Sequence, residues 1–333
     1  MFVNNLDVAR WNRICAGCGG GVWALIVLAW ALRLVELNVL DVLLLLALFV
    51  ITPLAIPLVY FPVESRPWCK LKRLIGIAYP CAALAGGASF LVHVGPLAAA
   101  SATAWFLFTA LLALRGAIWL FHVRGVSLAD ACLALALIYL PIGAVWFLLA
   151  RLGSRPLGFS HTIVLLTAIH FHFVTLAALI ITGLTGRALS ATDVGWSRTA
   201  YRVAAVGMLA TPLLVAAGHI LTQVTDVRFL ESAAAVLLAL SLVLIATLSL
   251  CFIVPATHSA LARGLLAVSG ASVFLTMALA CAYAVGALTE AWTITIPQMI
   301  AAHGWVNALG FGLCGLLGWR LRLAHDERQR QGG

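Results

Sequence analysis

Long apolar runs separated by short polar segments dominate the pattern of this chain. The runs are about 20 residues long and almost free of charges, which is the length that an α-helix needs to cross a bilayer. Transmembrane β-strands would be about 10 residues long and would alternate in polarity. The pattern therefore predicts an all-α, polytopic transmembrane helical bundle of about ten helices. The predicted spans are 19–36, 39–61, 74–93, 99–121, 130–150, 159–183, 201–222, 229–253, 264–288 and 294–319.

The segments between the runs are all short, which leaves no room for a soluble domain. We therefore predict a single integral membrane domain over 1–333. The first run has no obvious small-residue cleavage site and is predicted to be a retained helix. Several spans contain proline beyond their first turn, and each proline removes a backbone donor and opens carbonyl groups toward neighbours. These prolines are Pro53, Pro57, Pro80, Pro141 and Pro212.

Composition supports a membrane protein. Hydrophobic residues make up 64% of the chain and charged residues 9%, whereas a soluble domain is about one quarter charged. The formal net charge is +9. A nucleic-acid partner would need a solvated basic face, but these basic residues lie in short loops, so no such partner is expected. Membrane orientation explains the charge better.

The distribution of basic residues predicts the orientation. If the N-terminus is cytoplasmic, 16 of the 20 basic residues fall on the cytoplasmic side. Positive-inside reasoning then predicts that both termini are cytoplasmic, and we expect the chain in the inner (cytoplasmic) membrane of the cell. At the opposite side, most charged and histidine side chains are expected to be solvated loop groups. The group comprises Arg151, Arg155, His161, His219, Asp226 and Arg228.

Three histidines lie deep in the predicted spans. His170 lies roughly 17 Å along the sixth span and His303 about 14 Å along the tenth, both counted from the outer side. An ionisable side chain at such a depth is costly and is therefore a functional candidate. His170, His172 and His303 are predicted to be catalytic acid/base groups at one level of the bilayer. Satisfied core histidines are the alternative.

Neighbouring polar and aromatic residues extend this candidate site. Asn307 shares a helix face with His303 and is predicted to bind substrate. Glu231, in the first turn of the eighth span, could face inward and tune the basicity of the histidines as a further catalytic candidate. The remaining substrate-binding candidates are Arg155, Thr167 and Phe173.

The spacing of His170 and His172 limits their roles. Residues two apart on a regular helix point in nearly opposite directions, so both can line one pocket only if the helix is distorted. Which of the two faces a cavity stays open. The same spacing makes joint metal ligation awkward, and we expect neither a metal nor another cofactor.

Four stretches carry a family resemblance. They are Pro141-Ile142-Gly143 through Arg151, the run from Gly153 to Phe159 (GSRPLGF), the run from Leu166 to His172 (LTAIHFH) and the run from His303 to Phe311 (HGWVNALGF). With these stretches the chain resembles the YndJ-like family of bacterial multi-pass membrane proteins, mainly in its second half. The resemblance implies a tyrosine after the HFH triplet, where this chain has Phe173. A transporter label often accompanies the family.

Two functions remain open. The first is a membrane-embedded enzyme that performs histidine-dependent isomerisation or cyclisation of a lipophilic substrate. The second is a proton-coupled multi-pass transporter of a small or lipophilic solute. A structural or assembly subunit would have neither activity. The expected partners are a lipophilic small molecule and membrane lipids, and the oligomeric state stays open.

Overall fold

The protein is an all-α, polytopic membrane protein. The computed structural model describes residues 5–61, 66–122, 125–190 and 195–332, and these contain helices and no strand. Ten of the helices in these ranges are long and apolar enough to span a membrane, as the sequence predicted. They are α1 Arg10–Ala31, α2 Val39–Leu58, α3 Lys70–Leu91, α4 Pro96–His122, α5 Leu128–Leu152, α6 His161–Leu189, α7 Gly195–Thr225, α8 Phe229–Ile253, α9 Ala260–Thr289 and α10 Ile296–Gln331.

Several helices extend beyond the apolar runs that predicted them. The largest difference is in α10, which continues to Gln331 although its apolar run ends near residue 319. The polar segment that follows has neither proline nor an interrupting glycine until Gly332. Its arginines and glutamines are good helix formers, so the helix continues after the apolar run has ended.

The chain divides into two compact units. The first comprises Met1–Arg124 and Ala134–Ala177, and the second comprises Gly125–Leu133 and Ala178–Gly333. The boundaries fall within α5 and α6, so each of these helices contributes to both units. A single domain over 1–333 stays a prediction.

Helix α2 forms the core of the first unit. Of the residues in the most apolar 18-residue stretch of α2, 89% are buried, compared with 11% in the corresponding stretch of α1. A helix that is hydrophobic on all sides belongs in such a position. The helix begins with a capping box, in which the Asn38 side chain accepts from the Asp41 backbone N–H and the Asp41 carboxylate accepts from the Asn38 backbone N–H.

The first proline of α2 opens its backbone as predicted. Pro53 follows a π-helical segment, Ala47–Ile51, and has no N–H for the carbonyl of Phe49 four residues earlier. The hydroxyl of Tyr79 in α3 lies 3.3 Å from this carbonyl oxygen and 3.1 Å from that of Leu48, so it can donate to either. A neighbouring side chain thus satisfies backbone groups that the helix itself leaves free.

In the second unit, small residues bring α9 and α10 close together. A Cβ atom at Gly310 would clash with Ser272, and one at Gly318 would lie 2.8 Å from Leu266. The hydroxyl of Ser269 donates to the Phe311 carbonyl at 2.9 Å. The glycines of α10 therefore allow the close helix approach that the sequence predicted.

Candidate functional site

The histidine stretches coincide with irregular helix. His172 lies in the π-helical segment Phe171–Ala178, His303 in Ile300–Gly304, and Asn307 in Val306–Leu313. π-helical segments are rare and are frequent at functional sites. His170 and His172 could line one pocket only if their helix were distorted, and α6 contains such a distortion at His172.

His172 is buried in the first unit and has a partner on each ring nitrogen. Nδ1 lies 2.7 Å from the Ala168 carbonyl oxygen, and the indole N–H of Trp105 donates to Nε2 over 2.9 Å. A carbonyl oxygen can only accept, so Nδ1 carries the proton and Nε2 is the acceptor. The ring is fully buried. With both nitrogens engaged, this geometry supports a structural role for His172, and its catalytic role stays a prediction.

Helix α5 approaches the His172 ring at Gly143. A Cβ atom at position 143 would lie 2.9 Å from His172 Nδ1 and 3.1 Å from the Ala168 carbonyl oxygen. The first distance is shorter than Cβ contacts in proteins and the second is unusually tight, so a side chain at this position would require a shift of its neighbours. Gly143, at the end of the Pro141-Ile142-Gly143 stretch, therefore allows the close approach of α5 to the imidazole.

The other predicted residues of this region differ in exposure. His170 is the last residue of the first α-helical part of α6 and is half-buried, as are Thr167 and Phe173. The Thr167 hydroxyl donates to the Ile163 carbonyl at 2.9 Å. Arg155 is exposed in the connection between α5 and α6. Substrate binding by these side chains stays a prediction.

The second unit contains a hydrogen-bonded chain of three side chains around His303. Its Nδ1 donates to the Thr276 carbonyl at 2.8 Å, and Asn307 Nδ2 lies 3.0 Å from Nε2. The Thr276 hydroxyl donates to Asn307 Oδ1 at 2.9 Å. The Thr276 carbonyl fixes a proton on Nδ1, so Nε2 of the neutral ring must accept, and this in turn fixes the orientation of the Asn307 amide.

The same atoms support a second pattern, with a doubly protonated imidazole. Nε2 would then donate to Asn307 Oδ1 after a half-turn of the amide, and the amide N–H would donate to the Thr276 hydroxyl. That hydroxyl already has another acceptor, because the Ser272 carbonyl oxygen is 2.9 Å away. The network can therefore satisfy the neutral and the protonated ring without moving a helix.

Glu231 has a partner that the sequence did not predict. Its Oε1 lies 2.8 Å from His219 Nδ1, and both side chains are half-buried. His219 lies inside α7, so its interpretation as a solvated loop group was wrong. A Cβ atom at Gly218 would lie 2.6 Å from the Glu231 backbone nitrogen, and this close helix approach brings the two hydrogen-bonded side chains together. Tuning of the other histidines by Glu231 stays a prediction.

Arg151 also differs from its prediction as a solvated loop charge. It is 6% exposed and donates to the carbonyls of Ser89 and Val92 at 2.8 and 3.0 Å. Asp41, also buried, is close enough for electrostatic interaction with Arg151. The prediction failed because the last turn of α5 is covered by the end of α3, and a single sequence does not reveal such a contact.

Sequence reasoning missed two partners of the histidines. Trp105 is one of 11 tryptophans, and nothing in its neighbourhood distinguishes it. Thr276 had a detectable signal, because Ser269, Ser272 and Thr276 form a stripe of hydroxyl groups along one face of an otherwise apolar helix. Among the described residues, no group of three or more His, Cys, Asp or Glu side chains could hold a metal ion.

These features define a class: a polytopic α-helical membrane protein with a hydrogen-bonded histidine in each of its two units. His172 belongs to the first unit and His303 to the second, and a common cavity for them stays a prediction. A family model for YndJ-like proteins matches residues 42–311. The chain belongs to this family, and the match begins well before the second-half stretches that suggested it.

One curated relative extends this comparison. The chain is 28% identical over 288 residues to a protein of Bacillus subtilis (strain 168) named "Uncharacterized membrane protein YndJ". The aligned region covers 86% of this chain and 49% of the relative. The chain therefore spans about half the length of the relative it matches. No solved structure gives a significant match.

Proposed function

We propose that this chain is a membrane-embedded enzyme in which His303 exchanges a proton with a lipophilic substrate. The reaction class is isomerisation or cyclisation. In an isomerisation, Nε2 of the neutral ring takes a proton from one carbon of the substrate and the imidazolium returns a proton to another carbon. The composition of the substrate is unchanged, so the step needs no oxidant or reductant.

The observation that carries this proposal is the hydrogen-bonded network of His303, Asn307 and Thr276, whose atoms can form either of two hydrogen-bond patterns. A general acid/base group must be stable in both protonation states, and each state normally needs its own partners. Here one amide rotation and one hydroxyl rotation convert one pattern into the other. Asn307 would leave Nε2 when substrate arrives, while the Thr276 carbonyl keeps the proton on Nδ1 and holds the ring orientation.

Access from the bilayer supports a lipophilic substrate. His303 and Asn307 are half-buried, and the adjacent Ala301 and Ala302 are exposed. Only 28% of the residues in the most apolar 18-residue stretch of α10 are buried within the protein. Lipid would cover the remainder, so a hydrophobic molecule could reach the network along a surface of small side chains.

Deuterium exchange tests the proposal without knowledge of the substrate. The 333-residue chain would be placed in vesicles made from the total lipid of its source organism and incubated in deuterated water. Reversible proton exchange at carbon adds deuterium to a lipid, which mass spectrometry detects even without net conversion. We expect incorporation with the natural chain and with the exposed control variant His93→Ala, and its loss in His303→Ala. Equal incorporation by His303→Ala, or none by the natural chain, would refute the proposal.

Proton-coupled transport is the second candidate, and the same network favours it. A site that takes up and releases a proton in place can also carry it across the membrane. A pH-sensitive dye inside vesicles would report proton movement driven by a solute gradient. His303-dependent flux without deuterium incorporation would favour the transporter, and unchanged leakage in His303→Ala would exclude it.

A further inference from the structure

The Asn307 amide can donate to a second acceptor besides His303. Its nitrogen carries two N–H groups, and the contact with His303 Nε2 at 3.0 Å uses one of them. The Thr276 hydroxyl holds the other end of the amide, because it donates to Oδ1 at 2.9 Å. This bond keeps the amide nitrogen on the side of the imidazole. The network therefore presents a base and an N–H donor side by side.

The strength of the base limits the substrate. Imidazole titrates near neutrality, so it is a weak base and its protonated form is a weak acid. It cannot remove a proton from an isolated hydrocarbon, because the carbanion would have no atom that stabilises its charge. The imidazolium is likewise too weak to protonate an isolated double bond. A carbon next to a carbonyl group differs, since its negative charge moves to the oxygen as an enolate.

An enolate oxygen needs a hydrogen-bond donor, and Asn307 can supply one. Donors aimed at an atom that gains charge in the transition state are among the largest contributions to catalysis, and side-chain amides serve in this way. The donor is needed all the more where lipid replaces water, because an unpaired charge in apolar surroundings is costly. Asn307 therefore gains a partner when it leaves Nε2.

The spacing of the two groups matches such a substrate. His303 Nε2 and Asn307 Nδ2 are 3.0 Å apart. Bond lengths of about 1.23 Å for C=O and about 1.52 Å for C–C place the carbonyl oxygen about 2.4 Å from the adjacent carbon. The oxygen can therefore accept from Asn307 while a hydrogen on that carbon faces Nε2. The exposed Ala301 and Ala302 leave the approach from lipid open to the carbon chain.

We propose that the substrate is a lipophilic ketone whose oxygen accepts from Asn307, which rests on the proposed acid/base function of His303. In the first step the C–H bond next to the carbonyl breaks, and its proton bonds to Nε2. The electron pair of that bond forms a C=C bond, and the C=O π pair moves to the oxygen. The imidazolium then returns the proton. In a β,γ-unsaturated ketone it goes to the γ carbon, which gives the conjugated isomer of the same composition.

A long-chain β,γ-unsaturated ketone is the probe for this substrate class. The natural chain in vesicles would be mixed with the probe in deuterated water. Ultraviolet absorbance follows the conjugated product, and mass spectrometry detects its deuterium. The alkene of equal length without the carbonyl is the comparison. We expect the natural chain to isomerise and deuterate the ketone faster than protein-free vesicles do, and to leave the alkene unlabelled. This comparison needs no variant.

Asn307→Leu tests the donor, because leucine has nearly the shape of asparagine but no N–H. We expect kcat for the ketone to fall about 10²–10³-fold, the effect of removing one such donor. KM should change less, because the hydrogen bond strengthens as charge develops on the oxygen. A merely structural role would reduce the amount of folded protein and leave kcat of the folded fraction unchanged. The control Gln329→Ala removes an exposed amide from the same helix and should keep kcat.

The outcomes separate the substrate class from the acid/base function. His303-dependent labelling of lipids without labelling of the ketone would overturn the ketone and leave the function of His303 intact. Labelling of the alkene as fast as the ketone would have the same meaning. Full kcat in folded Asn307→Leu would overturn the contact between Asn307 and the carbonyl oxygen. If the natural chain labels neither lipids nor ketone, the function of His303 is refuted together with its substrate.

Discussion

The indole N–H of Trp105 donates to Nε2 of His172 at 2.9 Å, and both side chains are fully buried. Their rings also stack, with centroids 6.0 Å apart and an interplanar angle of 23°. The contact joins α4 to the π-helical part of α6. It gives a buried imidazole the donor that its unprotonated nitrogen needs, in a place where water cannot substitute.

Trp105→Phe should destabilise the protein. The variant removes the donor and leaves Nε2 of His172 without a partner, at a cost of about 1–2 kcal/mol in membrane proteins. Equilibrium unfolding in mixed micelles would measure this loss. A double-mutant cycle with His172→Ala separates the interaction energy between Trp105 and His172 from the loss of ring packing. A coupling energy near zero would show that the hydrogen bond contributes nothing.

Gly143→Ala should destabilise the protein by about 1–3 kcal/mol, because the added methyl group overpacks the contact between α5 and the His172 ring. Gly264→Ala is the matched control, since a Cβ atom in that helix meets nothing within 4 Å. Helix propensity favours alanine at both positions. Opposite signs in the two unfolding experiments are therefore expected, and equal stabilisation would contradict the packing described for Gly143.

The helices could be predicted from the sequence because each apolar run carries its own signal. All ten spans followed from length and hydropathy, and the opening of α2 at Pro53 followed from the chemistry of proline. Helix ends were less predictable. In α10, for example, the helix continues after the hydrophobic signal has stopped.

The contacts of the candidate site were much less predictable. The sequence identified His303 and Asn307 as neighbours because they are four apart in one helix. It did not identify Trp105, which is 67 positions from His172. Long-range partners depend on how helices are arranged, and a single sequence does not contain that information. Arg151 was misinterpreted for the same reason.

Thr276→Val should be more damaging than Thr276→Ser. Valine has nearly the shape of threonine but cannot donate to Asn307 Oδ1, so we expect a loss of about 0.5–2 kcal/mol. Serine keeps the hydroxyl and should retain most of the stability. Unfolding in mixed micelles would compare the two variants. If valine is tolerated as well as serine, the hydroxyl is not part of the His303 network.

Arg151→Gln should cost about 1–3 kcal/mol, whereas Arg155→Gln should change the stability by less than about 0.5 kcal/mol. The two arginines are four residues apart, but the first is buried and bonded to two carbonyls and the second is exposed. Both substitutions remove one positive charge, so a difference between their effects on stability reports the burial and the hydrogen bonds of Arg151. Thermal unfolding of both variants in the same detergent is sufficient, and equal effects would contradict the buried position of Arg151.

The orientation can be tested with single cysteines in a chain whose eight native cysteines are replaced by alanine. Arg155 and His258 are exposed in connections that lie on opposite faces if α6, α7 and α8 each cross the membrane. Positive-inside reasoning places Arg155 outside and His258 in the cytoplasm. A membrane-impermeant maleimide should therefore label Arg155→Cys in intact cells and His258→Cys only after disruption. Removal of Arg155 takes a basic residue from the outer face, so this variant strengthens the predicted asymmetry. Labelling in the reverse order would invert the predicted topology.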